Sequence, residues 1–271
     1  MPELPEVETT RRGLLPHVVG RRIVAVRVRQ PRLRWRVPAS LAKALPGAIV
    51  SDLTRRAKYL LMHTPRGTLI LHLGMSGSLR VAPENAPPSA HDHLDIVFEG
   101  GHCLRLHDPR RFGSVLWTDA PHAHALLRDL GPEPLEAGFD AAYLFRITRK
   151  RRVAIRNLLL NARLIAGIGN IYANEALFDA GIRPARAAGR LARSDCARLT
   201  ATVRAVLTRA IAAGGTTLRD FQNADGAPGY FQQTLHVYGR TGLPCPRCAT
   251  AVRMLRLGQR SAFYCPVCQR Q

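Results

Sequence analysis

Four cysteines constrain this chain more than any other feature. Cys245 and Cys248, then Cys265 and Cys268, form two Cys-x2-Cys pairs separated by sixteen residues. Each pair can place two thiolates on one ion, and four thiolates close a tetrahedral Zn²⁺ shell. A module this short cannot be held by burial alone, so the metal would supply its folding energy. The other readings are disulfides, which a reducing compartment disfavours, and a duplicated redox Cys-x-x-Cys. One structural Zn²⁺ per chain is therefore expected. Cys103 and Cys196 stand apart and read as packing residues.

Between the pairs lies "RMLRLGQRSAFY", a strand–turn–strand pattern carrying Arg253, Arg256 and Arg260. A β-ribbon with a basic tip can enter a DNA groove; the bland alternative is a solvated basic turn. Charge bears on that choice. The 271 residues carry 40 Lys+Arg against 19 Asp+Glu, a formal net charge of +21. Such an excess points to a polyanion, nucleic acid first and an anionic membrane surface second. A hydrophobic content of 46% excludes a disordered basic tail. No apolar run reaches the roughly 18 residues of a membrane helix. The acidic start lacks the apolar core of a signal peptide, so a cytoplasmic protein with no membrane partner is expected.

The hydrophobic period changes along the chain. A helix signal starts at Pro5, a residue suited to a first turn, with Val7, Arg11, Leu14 and Leu15 at helical spacing. From Arg22 to about Leu116 short alternating runs follow, separated by turn residues, as in an all-β sandwich or barrel. "APENAPPSAHD" (82–92) reads as an exposed loop. "LGPEPLEAGFD" (130–140) is rich in Pro, Gly and acid and reads as a linker. Beyond it, "RRVAIRNLLLNARLI", "NIYANEALFDAG" and "RSDCARLTATVRAVLTRAIAAGG" carry apolar residues at i, i+3, i+4 spacing. The expected organisation is an N-terminal domain over 1–130, a linker over 131–149, a helical domain over 150–234 and a zinc module over 235–271.

Two further stretches bear on chemistry. "AGIGN" (166–170) places Gly-Ile-Gly-Asn before a helix. Glycines let backbone N–H groups approach a phosphate, and a helix N-terminus favours an anion; Asn170 could cap that helix or donate to the phosphate. A plain helix–turn–helix corner is the alternative. The opening "MPELPEVETT" holds three of the 19 acids, Glu3, Glu6 and Glu8. A helix start accounts for Glu6 and Glu8 through the dipole, and for Glu3 less well. Of the 40 basic residues only Lys43, Lys58 and Lys150 are lysine.

Taken in order, "MPELPEVET", "RRAKYLL" (55–61), "HLGMSGSL" (72–79), "HDPRRFG" (107–113), "AGIGNIYANEALF" (166–178), "GGTTLRDF" (214–221), "GYFQQTLHVYGR" (230–240) and the four cysteines resemble the formamidopyrimidine-DNA glycosylase family over the whole chain. The related endonuclease VIII group shares the opening and the glycine turn, but "PELPEVET", "GMSG" and "PRRFG" fit the purine-directed branch better. The resemblance implies an α+β protein of two domains. These are an N-terminal β-sandwich with flanking helices and a C-terminal helix–two-turns–helix domain with a zinc ribbon. It implies a bacterial, nucleoid-associated monomer acting on damaged double-stranded DNA. The implied activity is a bifunctional glycosylase and AP lyase for oxidised purines, with a pyrimidine-directed glycosylase or a non-catalytic lesion-binding protein as the other readings.

The resemblance also assigns roles. Pro2, exposed by loss of Met1, would be the nucleophile, with Glu3 its acid/base and Glu6 close to the same site. Lys58 matches the active-site lysine and Arg260 the catalytic, phosphate-gripping arginine of the ribbon. Met75, Arg110 and Phe112 match the wedge that fills the gap left by a flipped base. His72, His91, Arg111, Arg156 and Asn170 match DNA-contacting positions. Gly226 and Tyr230 lie in a loop that closes over the flipped base, with Thr216 and Thr217 just before it. Arg156 departs from the family's usual lysine, and Asn161-Ala162 from its usual Asp followed by Gln or Asn. Both put fine substrate preference in question rather than the reaction.

Overall fold

A computed structural model describes residues 2–215 and 235–270. They fall into two compact units, 2–128 with 213–215, and 129–212 with 235–270.

The first unit is a β-sandwich with a helix on it. Helix α1 (Leu4–Val18) has Pro5 in its first turn. Strands β1 (Ile23–Val28), β5 (Ser78–Pro83), β6 (Asp92–Phe98) and β7 (His102–His107) form one antiparallel sheet in the order β1-β6-β7-β5. Strands β2 (Asp52–Arg56), β3 (Tyr59–Thr64), β4 (Gly67–His72) and β8 (Ser114–Thr118) form the other, in the order β2-β3-β4-β8. A short helix, α2 (Leu41–Ala44), lies between β1 and β2. Alternation puts Leu60 and Met62, Leu69 and Leu71 on one inner face, and Leu94, Ile96, Phe98, Leu104 and Leu106 on the other. Val7, Leu14 and Val18 of α1 join the same core.

Two ionic groups pin this unit. Glu8, buried on α1, takes Arg11, Arg12 and Arg55 at 2.9, 2.8 and 3.2 Å. Burial would raise its pKa, but the three guanidiniums outweigh it and hold the carboxyl at about 2. Arg55 belongs to β2, so the acid fastens helix to sheet. Asp95, fully buried on β6, is paired by Arg105 at 2.9 Å and by Arg29. Arg105 also donates to the carbonyls of Ala86 and Pro87 at 3.0 and 3.4 Å, holding down the 82–92 loop. That loop is exposed over most of its length, but its last residue differs from expectation. Asp92 is buried and accepts from Arg80, Ser89 and His107 at 2.8 to 2.9 Å.

The second unit opens where the linker was expected. Residues 131–149 instead carry α3 (Ala141–Thr148) and pack into this unit. Phe139 and Leu144 are fully buried. Asp140 caps α3 through Tyr143 N at 2.6 Å, and the Tyr143 hydroxyl donates to Leu164 O at 2.7 Å. The Pro/Gly/acid signal therefore marked a helix cap. Helix α4 is shorter than its periodicity predicts, Ile155–Leu159. It ends in a turn at Asn161, whose carbonyl accepts from Leu164 N and Ile165 N. Helices α5 (Asn170–Asp179) and α6 (Arg193–Ala212) pack together, and α3 packs on α6. The zinc module adds the antiparallel ribbon β9 (Arg253–Leu257) and β10 (Arg260–Tyr264). No described helix is long and apolar enough to cross a membrane.

Candidate functional site

In the first unit, Pro2 and Glu3 are buried at the start of α1. Glu3 is the N-cap residue, and Glu6 Oε2 accepts its backbone N–H at 2.8 Å in a capping box. Gly215 lies 3.3 to 3.4 Å (measured from an ideal Cβ) from Glu6 side-chain and backbone atoms. The residue after the start of the chain is thus held by a rigid helix end rather than a loose tail.

Lys58 lies in the two-residue turn joining β2 to β3, not on a strand. Its neighbour Ala57 is buried with φ +53°, a left-handed conformation that costs a non-glycine residue roughly 1–2 kcal/mol. Such strain persists where surrounding contacts enforce it. The turn stands close to His72, at the end of β4, whose ring lies 4.9 Å from that of Tyr59. Burial first, then the charges of Lys58 and Arg34, press the His72 pKa down to about 4. Its Nδ1 accepts Gly74 N–H at 3.0 Å. The ring is therefore neutral at pH 7, and with Nδ1 accepting, its proton sits on Nε2, which is left as the donor.

Met75 and Phe112 are each 42% exposed, and Arg110 stacks 4.8 Å over the Phe112 ring. Their two loops are locked backbone to backbone. Gly74, at φ +67°, leaves no room for a side chain: a Cβ there would come 2.5 Å from both Gly113 N and Phe112 C. Asp108, fully buried, accepts Gly113 N–H at 2.7 Å, and its carbonyl accepts Arg111 N–H and the His93 ring. The structure so brings the three expected wedge residues onto one platform. Arg111 is exposed with φ +57°. His91 is exposed, its ring 5.9 Å from that of His107, and its carbonyl accepts Asp108 N–H. Asp108 shapes this loop through its hydrogen bonds and was not singled out from sequence. Its signal was its place inside "HDPRRFG", before two arginines and a glycine.

The second unit holds a different arrangement. Asn170 opens α5, but Gly169 is its N-cap, so the Asn170 side chain has another use. Its Oδ1 accepts from Arg156 at 2.7 Å and its Nδ2 donates to Ser261 O on the ribbon at 3.0 Å. Arg156 is 1% exposed and cannot reach a phosphate directly; its guanidinium bonds Asn157, Asn170, Leu257 O and Ser261 O. Burial and then Arg260 lower its pKa. Asn174 adds a link by accepting Phe263 N–H at 2.8 Å. Arg260, Arg253 and Arg256 are exposed along the ribbon. Sequence reasoning missed Glu175. Buried on α5, it accepts the backbone N–H groups of His236, Val237 and Tyr238 at 2.8, 3.0 and 2.8 Å. Burial outweighs those bonds and raises its pKa. Gly226, Tyr230, Thr216 and Thr217 lie outside the described residues.

The four zinc-module cysteines converge, their sulfurs all within 4.8 Å of one another. Cys245 Sγ to Cys268 Sγ is 3.8 Å and Cys248 Sγ to Cys265 Sγ is 3.5 Å. Tetrahedral Zn–S bonds of about 2.3 Å require sulfurs about 3.8 Å apart. Arg247 N–H and Cys268 N–H point at Cys245 and Cys265 sulfurs, 3.4 Å away, as donors to thiolates do. The residues present fit a structural Zn²⁺.

Three family profiles match the chain: the formamidopyrimidine-DNA glycosylase N-terminal domain over residues 1–115, the H2TH domain of the same family over 130–222, and a zinc finger found in FPG and IleRS over 242–271. The formamidopyrimidine-DNA glycosylase of Thioalkalivibrio sulfidiphilus is 63% identical over all of both chains. Among solved structures, Lactococcus lactis Fpg in complex with abasic-site DNA is 35% identical, TM-score 0.91, over all of both chains. A variant of the same protein bound to Fapy-dG-containing DNA is 36% identical, TM-score 0.92, again over all of both.

Proposed function

Because the chain belongs to the formamidopyrimidine-DNA glycosylase family, DNA-repair glycosylases with AP lyase activity, we propose that it removes oxidised purines through a Schiff base on Pro2. The substrates are 8-oxoguanine and formamidopyrimidines in double-stranded DNA. The observation that carries this reading is the mount of Pro2: buried, next to Glu3, on a helix end fixed by Glu6.

With Met1 removed, Pro2 offers a secondary amine. An α-amino group titrates roughly near pH 8, so a neutral fraction exists at physiological pH. The nitrogen bonds to C1′ as the C1′–base bond breaks, and the base leaves taking a proton. Ring opening, with Glu3 giving the proton to O4′, yields an iminium. A secondary amine makes that iminium a fixed cation, and it acidifies the C2′ protons. Loss of one expels the 3′ phosphate (β elimination), a second elimination expels the 5′ phosphate (δ), and water then frees Pro2. Lys58, unlike arginine, can pass a proton here.

The other residues hold DNA. Met75, Arg110 and Phe112 fill the space of the flipped base. His72 and Asn170 donate to phosphate, while Arg260 adds charge; His91 and Arg111 flank the wedge. Arg156 works through Asn170 and the ribbon, not by its own contact. Gly226 and Tyr230 belong to the loop over the base. One Zn²⁺ per chain holds the ribbon through Cys245, Cys248, Cys265 and Cys268. The protein acts as a cytoplasmic monomer on nucleoid DNA. Borohydride added during turnover of an 8-oxoguanine duplex should yield a covalent protein–DNA adduct. Faster excision of thymine glycol than of 8-oxoguanine would instead support a pyrimidine-directed enzyme. Binding to an abasic site with no adduct would support a non-catalytic protein.

A further inference from the structure

The most cationic region of the second unit plays no part in the chemistry above. Segments 146–153 and 183–195 carry nine Lys+Arg residues and one acid, Asp195. They lie side by side. Ala154 and Ala187 form an antiparallel bridge, Ile155 N–H donates to Arg186 O, Ala188 N–H to Val153 O and Gly189 N–H to Arg151 O. A cavity of about 540 Å³ opens here, lined by Arg183, Ala185, Arg186 and Arg190. Arg186 is partly neutralised by Asp195 at 3.0 Å. Arg183 stacks on the Tyr264 ring, 5.2 Å away, which fixes its direction without cancelling its charge. Arg151, Arg152 and Arg190 are exposed and have no acidic partner among the described residues.

We propose that this arginine-lined cavity, with Arg151 beside it, is a second DNA contact that grips the phosphodiester backbone without reading base or lesion. The chemistry favours a polymer over a single small anion. Arg183, Arg186 and Arg190 line the opening, and Arg151 is paired beside it through Gly189 N–H to Arg151 O, more cations than one small anion can neutralise. Planar guanidiniums match phosphate geometry bidentately. The same backbone frame carries Arg156, bonded through its N–H to Pro184 O and through its side chain to Asn170. Strand contact at the cavity and at the start of α5 therefore shares one rigid support. The proposal rests on duplex DNA being the partner but not on the chemistry of Pro2.

The test is affinity for lesion-free duplex against salt, for the unaltered chain and two double variants, Arg183→Ser/Arg190→Ser and Arg151→Ser/Arg190→Ser. The second avoids the Tyr264 contact, and zinc content with the melting temperature reports folding. Each double variant should lose about 1.8 from the slope of log K against log salt, two contacts at about 0.9 each. The affinity lost between 50 and 200 mM salt should shrink about twelvefold. Excision from a short lesion duplex should stay within about twofold. Unchanged slopes in both variants would overturn the proposal. So would an unchanged DNA slope with loss of inorganic phosphate binding, which would assign the cavity to a small anion. A changed slope beside a failed borohydride adduct would leave this contact standing and sink only the Pro2 chemistry.

Discussion

The two units mount the residues proposed to meet DNA by opposite means. In the first, Met75, Arg110 and Phe112 stand on two loops pressed together at Gly74 and Gly113, the second of them held in shape by one buried carboxylate, Asp108. In the second, Asn170 and the ribbon are joined by the buried side chains of Arg156 and Asn174, Glu175 ties α5 to the backbone of 236–238, and four cysteines form a metal site. Close backbone packing needs the absence of side chains. A polar network needs every partner present. The difference fixes how each unit should fail.

Loss of metal should have the largest effect. Cys265→Ser removes one of four thiolates from a module whose buried cluster is small, Val237, Val252, Cys245 and Cys265 against Phe178 of α5, and counts two of the thiolates among its members. Zinc content should fall and the ribbon should lose its fold, since metal binding there is folding free energy. DNA affinity should drop by about 100-fold or more, while the sandwich keeps its own melting transition, read by calorimetry. Gly77→Val strikes the other design. An ideal Cβ at Gly77 lies 2.3 Å from Leu73 O, so the Met75 loop must move. Overpacking of this kind costs about 2 kcal/mol. Excision should fall by about tenfold or more with zinc content unchanged; equal loss of zinc would erase the contrast between the units.

Glu8→Gln probes the brace of α1, the helix that carries the proposed nucleophile. The folded pKa is depressed, so this stability is present above the unfolded value of 4.5 and is lost as pH falls through about 2. At pH 7 the variant should be less stable by about 2 kcal/mol, allowing for screening. Its deficit should narrow steadily below pH 4.5 in denaturant titrations. His72→Gln should have the smallest effect. A neutral ring gives a hydrogen bond rather than a charge, so affinity should fall by about tenfold or less. The salt slope of binding should not change; a slope shallower by about one would mean a charged His72.

Much of this was legible. The cysteine spacing gave the metal site because four thiolates at that spacing have few other uses. Period-two runs marked the sandwich strands because one face of each had to be buried. Exposure of Met75 and Phe112 could be read from their glycine-rich turns. What was hidden depended on three-dimensional partners. The 131–149 segment looked like a linker because Pro, Gly and Asp serve caps and linkers alike. Arg156 read as a DNA contact because nothing local shows that Asn170 and Ser261, 14 and 105 residues away, surround it. Glu175 is one acid on a helix until the backbone of 236–238 returns to it. The turn that holds Lys58 was hidden because it depends on Ala57 adopting a glycine-like conformation.

The covalent link itself tests the account most directly. The borohydride-trapped adduct on 8-oxoguanine duplex can be digested and the modified peptide sequenced by mass spectrometry. The account predicts a chain lacking Met1, with the deoxyribose remnant on the nitrogen of Pro2. An adduct on Lys58, or one formed equally well by a chain that retains Met1, would contradict it.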